Sequence, residues 1–280
     1  MSLEITIDWL SVTFKGVSQN EKAWIDKYSP REVYDATLAL NSYDCASRAE
    51  TGVVHMWSST REEMGHHYQF VGSTLRNIFR NGDIQQETLV SDTVHAGGRI
   101  TRIDLAKDEK WTPVNYDEIW TELLARRYTG TTRKPTRHQS ENGGYTIYLG
   151  SWKSDKFARI YNKASEQAVQ GTWNRYELVI KSEYARNMAK YIASNGSLVA
   201  AFDTMTKGMV SLDNSGLLQM FYDNETITVS LPKLEKVTDT EKWITSQVMP
   251  ALAKHYEQHL DSEAIELLLR VLDFIRSRGQ

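Results

Sequence analysis

The sequence predicts an α+β fold in which an antiparallel-rich central sheet is flanked by helices and followed by a mainly helical C-terminal part. Between residues 4 and 181, short runs of β-branched and aromatic residues recur, and several alternate polar and apolar positions. Beyond residue 182 the apolar residues mostly return with helical spacing. We therefore expect a sheet-based domain over residues 1–200. A mainly helical region over residues 201–280 would pack on it or mediate dimerisation.

Composition places the chain among ordinary globular proteins. Its 280 residues, 40% of them apolar, suffice to bury a core, and the formal net charge of -3 gives no hint of a polyanionic partner. The single cysteine, Cys45, excludes an internal disulfide framework and a thiolate-rich metal site. No apolar run is long enough to cross a bilayer, and the N-terminus lacks the features of a signal peptide. We expect a cytoplasmic protein.

The charge is unevenly distributed. Between residues 126 and 163 there are nine lysines or arginines and only two acidic residues. Such a local basic region is what binding to nucleic-acid phosphates requires, although a plain surface loop is the alternative for its first part. The residues that we predict to contact DNA are Arg126, Arg127, Arg133, Lys134, Arg137, Lys153 and Lys156.

The elements can be assigned from their patterns. Strands are predicted at residues 4–14, 53–57, 66–71, 99–109 and 173–181, with two more within 143–163. Helices are predicted at 22–28, 30–40, 74–80, 115–127, 184–194, 198–206, 240–260 and 262–278, and a loop at 128–144. His66 and His67 would point to opposite faces of their strand, so we do not expect them to share a metal ion.

Three of the predicted strands carry the same arrangement, an arginine two residues before a reactive partner. Arg102 precedes Asp104, Arg159 precedes Tyr161, and Arg175 precedes Glu177. Because side chains two positions apart on a strand share a face, each arginine lies beside its partner. If these strands are neighbours in one sheet, carboxylates, a tyrosine and cations converge on one patch, which indicates a site rather than a solvated surface.

The residue types suggest phosphodiester chemistry. Asp104 and Asp108 offer the oxygen ligands that Mg²⁺ or Mn²⁺ prefers, with a solvated strand end as the alternative. Tyr161 would share its strand face with Arg159 and Lys163, and nearby positive charge favours the phenolate over a phenol of pKa about 10. Tyr148 would share its face with Thr146 and Gly150, a less charged setting. We therefore favour Tyr161 as a nucleophile and keep Tyr148 as the alternative.

Three segments in order, GRITRIDLAKD, YTIYLGSWKSDKFARIYNK and WNRYELVIK, resemble the signatures of the replication initiation factor family. Its members are the Rep proteins of rolling-circle plasmids, filamentous phages and some integrative elements. The resemblance covers roughly residues 5–200 and includes the looser segment MGHHYQFVGSTL at 64–75. It implies a Rep nuclease-like fold and metal-dependent nicking and joining of origin DNA through a tyrosyl intermediate.

The resemblance also implies roles and partners. Asp104 and Glu177 would ligate Mg²⁺ or Mn²⁺, with Asp108 as a further candidate, and a tyrosine of the YLGS or RIYNK run would attack. The His-hydrophobe-His motif of the wider rolling-circle nuclease group is absent, so no histidine ligand is expected. Origin DNA, a second copy of the chain and a host helicase are the expected partners. A non-catalytic DNA-binding regulator and a relaxase-like DNA transfer protein remain the alternatives.

Overall fold

The computed structural model describes residues 5–16, 18–29, 32–33, 42–80, 84–139, 144–194, 196–212 and 216–222, and beyond these positions 244, 248–251 and 270. The chain divides into two compact units, residues 1–234 and 235–280. The predicted helices at 240–260 and 262–278 lie almost entirely outside the described residues. The predicted division of roles between residues 1–200 and 201–280 stays a prediction.

The first unit is built on one ten-stranded sheet in which every neighbouring pair is antiparallel. The strands are β1 Ile5–Phe14, β2 Glu32–Val33, β3 Cys45–Ala49, β4 Val54–Trp57, β5 His66–Val71, β6 Arg99–Glu109, β7 Thr136–Gln139, β8 Tyr145–Leu149, β9 Lys156–Asn162 and β10 Asn174–Lys181. Their order across the sheet is β2-β3-β4-β5-β1-β6-β10-β9-β8-β7. The antiparallel-rich central sheet that the sequence predicts is confirmed.

The helices flank this sheet. They are α1 Gln19–Tyr28, α2 Gly72–Phe79, α3 Gln86–His95, α4 Tyr116–Leu124, α5 Lys163–Glu166, α6 Ser182–Ala193 and α7 Leu198–Met209. Ser18 and Ser197 cap α1 and α7 by accepting a hydrogen bond from a first-turn N–H, a common way to begin a helix. No helix among the described residues is long and apolar enough to cross a membrane.

The two faces of the central strands differ, and we name them by what they carry. The helix face contains the apolar positions of β6 and β10 and is packed against α6 and α7; Tyr176 there meets Phe202 edge to face with ring centroids 5.6 Å apart. The charged face contains Arg102, Asp104 and Asp108 of β6. Alternation along β10, and along β6 from Arg102 onward, separates these two sets of side chains and so separates the core from the candidate site.

Several local predictions were wrong. Glu32–Val33, predicted as helix, pairs with β3 as a strand, and the rest of the predicted helix at 30–40 lies outside the described residues. Part of the predicted loop, Thr136–Gln139, forms the edge strand β7 because it finds backbone partners on β8. The sequence analysis also missed β3 and α3. Their small and polar residues give little periodic signal, and pairing with neighbours decides their structure.

Candidate active site

The candidate active site lies on the charged face where β6, β10 and β9 run side by side. Glu177 is opposite Arg159 on β9, and Val179 is opposite Asp104 on β6. Asp104 and Glu177 are therefore diagonal neighbours across one strand pair, within about 8 Å of each other. The three arginine-containing strands are neighbours, as the sequence predicted.

One row of the sheet brings together most of the predicted groups. Reading across β7, β8, β9 and β10, the directly opposed residues are Thr136, Tyr148, Arg159 and Glu177. We call this the catalytic row. The next row holds His138, Thr146, Tyr161, Arg175 and Asp108. Both candidate tyrosines consequently lie beside Arg159, one on the adjacent strand and one two residues along its own.

Glu177 is the centre of the hydrogen bonding. Its side chain is 1% exposed, and its two carboxylate oxygens accept from Arg159 Nη2 at 2.8 and 3.0 Å. Oε2 also accepts the hydroxyl proton of Tyr161 at 2.9 Å. Arg159 itself remains about one-third exposed, so the pair joins a buried carboxylate to a cation that a substrate can reach.

Tyr161 is held as a phenol rather than activated. The residue is 4% exposed, and burial followed by the charge of Glu177 raises the pKa of its hydroxyl far above the ordinary value. Arg175 and Arg159 act in the opposite direction without reversing the shift. The expectation that flanking cations favour the phenolate was wrong for this residue, because desolvation and a carboxylate partner outweigh them.

Lys163 also differs from the sequence prediction. It is the first residue of α5 rather than a continuation of β9, since Asn162 caps that short helix. Its ammonium group pairs with Glu166 and lies 5.6 Å from the centre of the Tyr161 ring. The lysine therefore packs near the Tyr161 ring, and its ammonium group forms an ion pair with Glu166.

Tyr148 has a more accessible environment. Its side chain is half-buried, and its ring meets that of His138 edge to face with centroids 5.3 Å apart. Its hydroxyl makes no hydrogen bond with any residue that the structure describes. In the catalytic row it is directly opposite Arg159.

Asp104 is the second buried carboxylate. Arg102 holds it with two hydrogen bonds, Nε to Oδ1 at 2.9 Å and Nη2 to Oδ2 at 2.6 Å, while the guanidinium lies 4.6 Å from the Trp9 ring. Burial raises the pKa of Asp104 to about 6; Arg102 opposes this shift and the nearby Glu177 adds to it. A carboxylate with a raised pKa beside another carboxylate is a typical arrangement for binding a cation.

The residues present fit a divalent ion in part. Asp104 and Glu177 supply hard oxygen atoms within reach of one ion, and Mg²⁺ needs only one or two protein carboxylates when substrate phosphate completes its coordination. Among the described residues no group of three or more His, Cys, Asp or Glu side chains is arranged to hold a metal. Both carboxylates are also bound to arginines, which a metal would have to displace.

Asp108, the third predicted ligand, is not brought to this pair. Four residues separate it from Asp104 along β6, which corresponds to about 13 Å. Its carboxylate is held by Arg175, with Nε to Oδ1 at 2.7 Å and Nη2 to Oδ2 at 2.9 Å. Arg175 Nη1 also approaches Asp8 Oδ1 at 3.0 Å. A β-bulge at residue 8 permits this second contact, and the sequence analysis did not identify Asp8.

The predicted DNA-binding residues fall into two groups. Arg133, Lys134 and Lys156 line a cavity of about 630 Å³ near the end of β8, together with the exposed ring of Trp152. Lys153 lies 5.4 Å from that ring. These four cations have no carboxylate partner among the described residues, so they remain available to phosphate groups.

Two of the three arginines of the second group, Arg127 and Arg137, are already paired. Arg127 donates two hydrogen bonds to Glu122, and Arg137 bonds Asp117 at 2.7 Å while its guanidinium lies 3.9 Å from the Tyr145 ring. Arg126 is exposed just beyond α4 and has a positive φ of 55°. Pairing with an exposed carboxylate reduces, but does not remove, the capacity of these arginines to bind DNA.

Comparison with protein families identifies the chain. The sequence profile of the family described as "Replication initiation factor" matches residues 98–269, which is more than half of the chain and includes β6, β8, β9 and β10. The chain belongs to the replication initiation factor family. Asp104, Glu177 and both candidate tyrosines lie inside the matched range.

Two relatives of this family member are informative. It is 36% identical over 109 residues to the "Putative DNA relaxase NicK" of Bacillus subtilis (strain 168), a match to 34% of this chain and 31% of NicK. This chain therefore covers about a third of the length of NicK. It also resembles the rolling circle replication initiator protein from Geobacillus stearothermophilus, with a TM-score of 0.61, 20% identity and coverage of 83% of this chain and 93% of that one. The second likeness establishes the shared fold.

Proposed function

We propose that this protein is a rolling-circle replication initiator that nicks one strand of origin DNA and rejoins it through a tyrosyl–phosphodiester intermediate. The observation that carries the proposal is the catalytic row, in which an accessible tyrosine, an arginine and a buried carboxylate stand side by side in a member of this family. This arrangement supplies a nucleophile, a cation for the phosphate and an acidic group within a few ångströms.

Tyr148 is the nucleophile in this proposal, and Tyr161, which the sequence analysis favoured, is the alternative. The half-buried Tyr148 hydroxyl has no hydrogen-bond partner among the described residues, whereas burial and Glu177 hold Tyr161 in its protonated form. Attack forms a bond from the phenolic oxygen to phosphorus and breaks the bond to the 3′-oxygen. The phenol loses its proton, the 3′-oxygen gains one, and the enzyme keeps the 5′-phosphate.

The arginines stabilise the charge that builds up on phosphorus. Arg159 faces Tyr148 across the β8–β9 pair and is about one-third exposed, so its guanidinium can donate to a nonbridging phosphate oxygen. Tyr161 acts as a positioning group, because its hydrogen bond fixes one oxygen of Glu177. Rejoining would reverse the attack with the 3′-hydroxyl of a DNA end as the nucleophile.

Asp104 and Glu177 would hold a Mg²⁺ or Mn²⁺ ion. When bound, such an ion polarises the scissile phosphate and orients it. The residues of the chain would position it from two adjacent strands, β6 and β10, whose register is fixed by the sheet. Because β6 and β10 are rigid elements, the two carboxylates are already in position before DNA binds.

The basic cavity and its surroundings would hold the DNA backbone. Arg133, Lys134, Lys153 and Lys156 lie near the end of β8, a few residues from Tyr148. Neutralising three of the basic residues, Arg133, Lys134 and Arg137, should weaken binding and lower its salt dependence, since each phosphate contact releases counterions. Unchanged affinity would exclude this region from the interface. Dimerisation and recruitment of a host helicase also remain proposals.

The function is tested by incubating the protein with a supercoiled plasmid that carries its cognate origin and Mg²⁺ or Mn²⁺. We expect an open-circular product and a covalent protein–DNA adduct that survives SDS, and chelation with EDTA should prevent both. DNA binding without any nicking would instead identify a non-catalytic regulator.

The similarity to a putative relaxase supports a second candidate, a DNA transfer protein that uses the same chemistry. The two roles share the nicking step and differ in the fate of the nicked DNA. Replication of a plasmid bearing the nicked sequence in cells that supply this protein supports the initiator. Mobilisation of that plasmid to a recipient without its replication supports the transfer protein.

A further inference from the structure

A second cavity, of about 1040 Å³, lies at the end of the sheet beyond the row that contains Tyr161. We call it the tryptophan cleft and define it by six of its lining residues, Asp8, Arg76, Lys110, Trp111, Trp173 and Arg175. It lies at the end of β9 opposite to the basic cavity. The aromatic residues that line it have no role in the nicking mechanism proposed above.

Trp111 forms one wall and is unusually exposed. Its side chain is 78% exposed, although the backbone of its turn is held by Glu109, whose Oε1 accepts the N–H groups of Trp111 at 2.6 Å and Thr112 at 2.7 Å. Glu109 is itself buried. A large indole ring is thus presented to solvent on an ordered turn, where it is available to contact another molecule.

Trp173 supplies a second aromatic group. The ring is half-buried, with the Lys110 ammonium 5.1 Å from its centre. Its Nε1 is shielded from solvent and has no hydrogen-bond partner among the described residues. A shielded N–H of this kind is expected to find an acceptor in the complete complex.

Two exposed cations of the cleft can bind an anion. Asp8 and Asp108 are both paired with Arg175, and Glu109 accepts hydrogen bonds from the backbone of its own turn. Arg76 on α2 and Lys110 are exposed and have no carboxylate partner in the part of the chain that the structure describes. Arg76 and Lys110 are therefore the cations of the cleft that a phosphate can reach.

We infer that the tryptophan cleft binds one unpaired nucleotide of single-stranded DNA, with the base against Trp111 and a neighbouring phosphate at Arg76 and Lys110. Aromatic rings combined with nearby cations are the usual means of binding single strands, because every base has a stacking face. The inference rests on the proposed function only in taking DNA as the substrate.

The cleft lies next to the candidate active site in the register of the sheet. Arg175 lines it and is directly opposite Tyr161 in the register, one row from the catalytic row. Successive rows on one face of a sheet are about 7 Å apart. A strand bound at Tyr148 can therefore reach the cleft within a few nucleotides, so the cleft would fix a nucleotide that flanks the cut.

The test compares binding of two fluorescein-labelled 12-mers, one of thymidines and one of abasic residues with the same charge, at several salt concentrations. We expect Trp111→Ala to weaken thymidine binding roughly tenfold, since stacking of one base contributes about 1–3 kcal/mol. Binding of the abasic strand should not change, and Trp111→Phe should retain most of the difference between the two strands.

The cationic part of the cleft is tested with Arg76→Gln. It should weaken both strands equally and reduce the salt slope by about 1, because one phosphate contact is lost. Lys190→Gln is the matched control, since Lys190 is an exposed cation on α6, which packs on the helix face. It should leave affinity for both strands and the salt slope unchanged.

Three outcomes overturn the inference: Trp111→Ala changes neither strand, it weakens both alike, or thymidine 5′-monophosphate alone occupies the cleft as tightly as the 12-mer. Wild-type protein that neither binds nor nicks the origin plasmid would overturn the proposed function as well. Wild-type protein that binds and nicks DNA while Trp111→Ala behaves identically would overturn only the cleft.

Discussion

Two ion pairs on the charged face, those of Asp104 and Glu177, differ from the buried pair on the helix face in the exposure of the cation. On the helix face, Lys107 Nζ lies 3.0 Å from Asp203 Oδ1, and both side chains are inaccessible, at 0% and 1%. On the charged face, Asp104 and Glu177 are equally buried, but their partners Arg102 and Arg159 are 35% and 32% exposed. β6 contributes to both kinds of pair from alternate positions.

This difference separates a fixed pair from pairs whose cation can be exchanged. A pair with both partners buried cannot exchange either of them without unfolding, and removal of one partner leaves an uncompensated charge in the core. A buried carboxylate with an accessible arginine can exchange that arginine for a metal or turn it towards a phosphate. Asp104 and Glu177 thus stay in place while Arg102 and Arg159 stay available; the Arg175–Asp108 pair of the same face is the exception, since the Arg175 side chain is only 4% exposed.

The largest expected effect concerns the two tyrosines of the charged face. Tyr148→Phe should reduce nicking roughly a thousandfold or more and abolish the SDS-stable adduct, because no other group forms the covalent bond. Tyr161→Phe should retain adduct formation with reduced rate, since it removes only the hydrogen bond to Glu177. The measurement is nicking of origin plasmid, with thermal unfolding to confirm that both variants fold. Normal nicking by Tyr148→Phe together with an inactive Tyr161→Phe would assign the attack to Tyr161.

The second largest expected effect is on stability and concerns the Lys107–Asp203 pair. Lys107→Met should lower the free energy of unfolding by about 3–5 kcal/mol, because it removes the buried ammonium group that pairs with Asp203. The double variant Lys107→Met/Asp203→Leu should recover most of this loss. Urea unfolding measures both. A loss below about 1 kcal/mol for the single variant would mean that the pair does not differ from an exposed one.

A third effect appears in the pH dependence of stability. Burial, with a smaller contribution from the charge of His55, lowers the pKa of His67 to about 4. Between pH 4 and 6.5 this imidazole is therefore protonated in the unfolded chain and neutral in the folded chain. His67 therefore costs stability as the pH falls through this window, by up to about 3 kcal/mol. Asp104, with its pKa raised to about 6, acts in the opposite sense, since its contribution to stability falls as the pH rises from 4 to 6.

These contributions can be separated with single variants. The difference in unfolding free energy between wild type and His67→Gln should change by about 3 kcal/mol between pH 4 and 6.5, in favour of the variant at low pH. Asp104→Asn should show the reverse trend between pH 4 and 6. A constant difference for His67→Gln would mean that this histidine is not held neutral.

The smallest expected effect on stability distinguishes the arginines of the charged face from Lys107. Arg102→Gln should cost less than about 1.5 kcal/mol at pH 7, because Arg102 is 35% exposed and Asp104 can take up a proton when its partner is gone. Nicking should nevertheless fall about tenfold, with the apparent metal affinity reduced at pH 6 and restored at pH 8. A stability loss as large as that of Lys107→Met would contradict the distinction between the two faces.

Much of this arrangement could be predicted from the sequence. The spacing of two between Arg102 and Asp104, Arg159 and Tyr161, and Arg175 and Glu177 fixed which side chains share a face, since strand alternation is a local property. The adjacency of β6, β10 and β9 entered the sequence analysis only as a condition, and the structure supplies it. The register that aligns Tyr148 with Arg159 is a long-range property that no local pattern contains.

The remaining errors have physical causes. The ionisation of Tyr161 was misjudged because flanking cations are visible in a sequence, whereas burial and the hydrogen bond to Glu177 are not. Lys163 was placed on β9 because the capping role of Asn162 was not recognised. Trp111 was not considered, because one exposed tryptophan in a turn leaves no sequence signal of the surface that it faces.

The bulge at Asp8 has a consequence for how this chain can vary in length. The register of β1 against β6 shifts between Ile7 and Trp9, so one extra residue separates the start of the strand from its remainder. Deleting that residue would rotate one part of the strand by half a turn, placing Ile5 and Ile7 on the charged face or removing Trp9 from beneath Arg102. Substitutions at this point keep the register of β1, whereas a single inserted or deleted residue would shift it. We therefore expect selection against insertions and deletions in the first strand, because its register aligns the rest of the sheet.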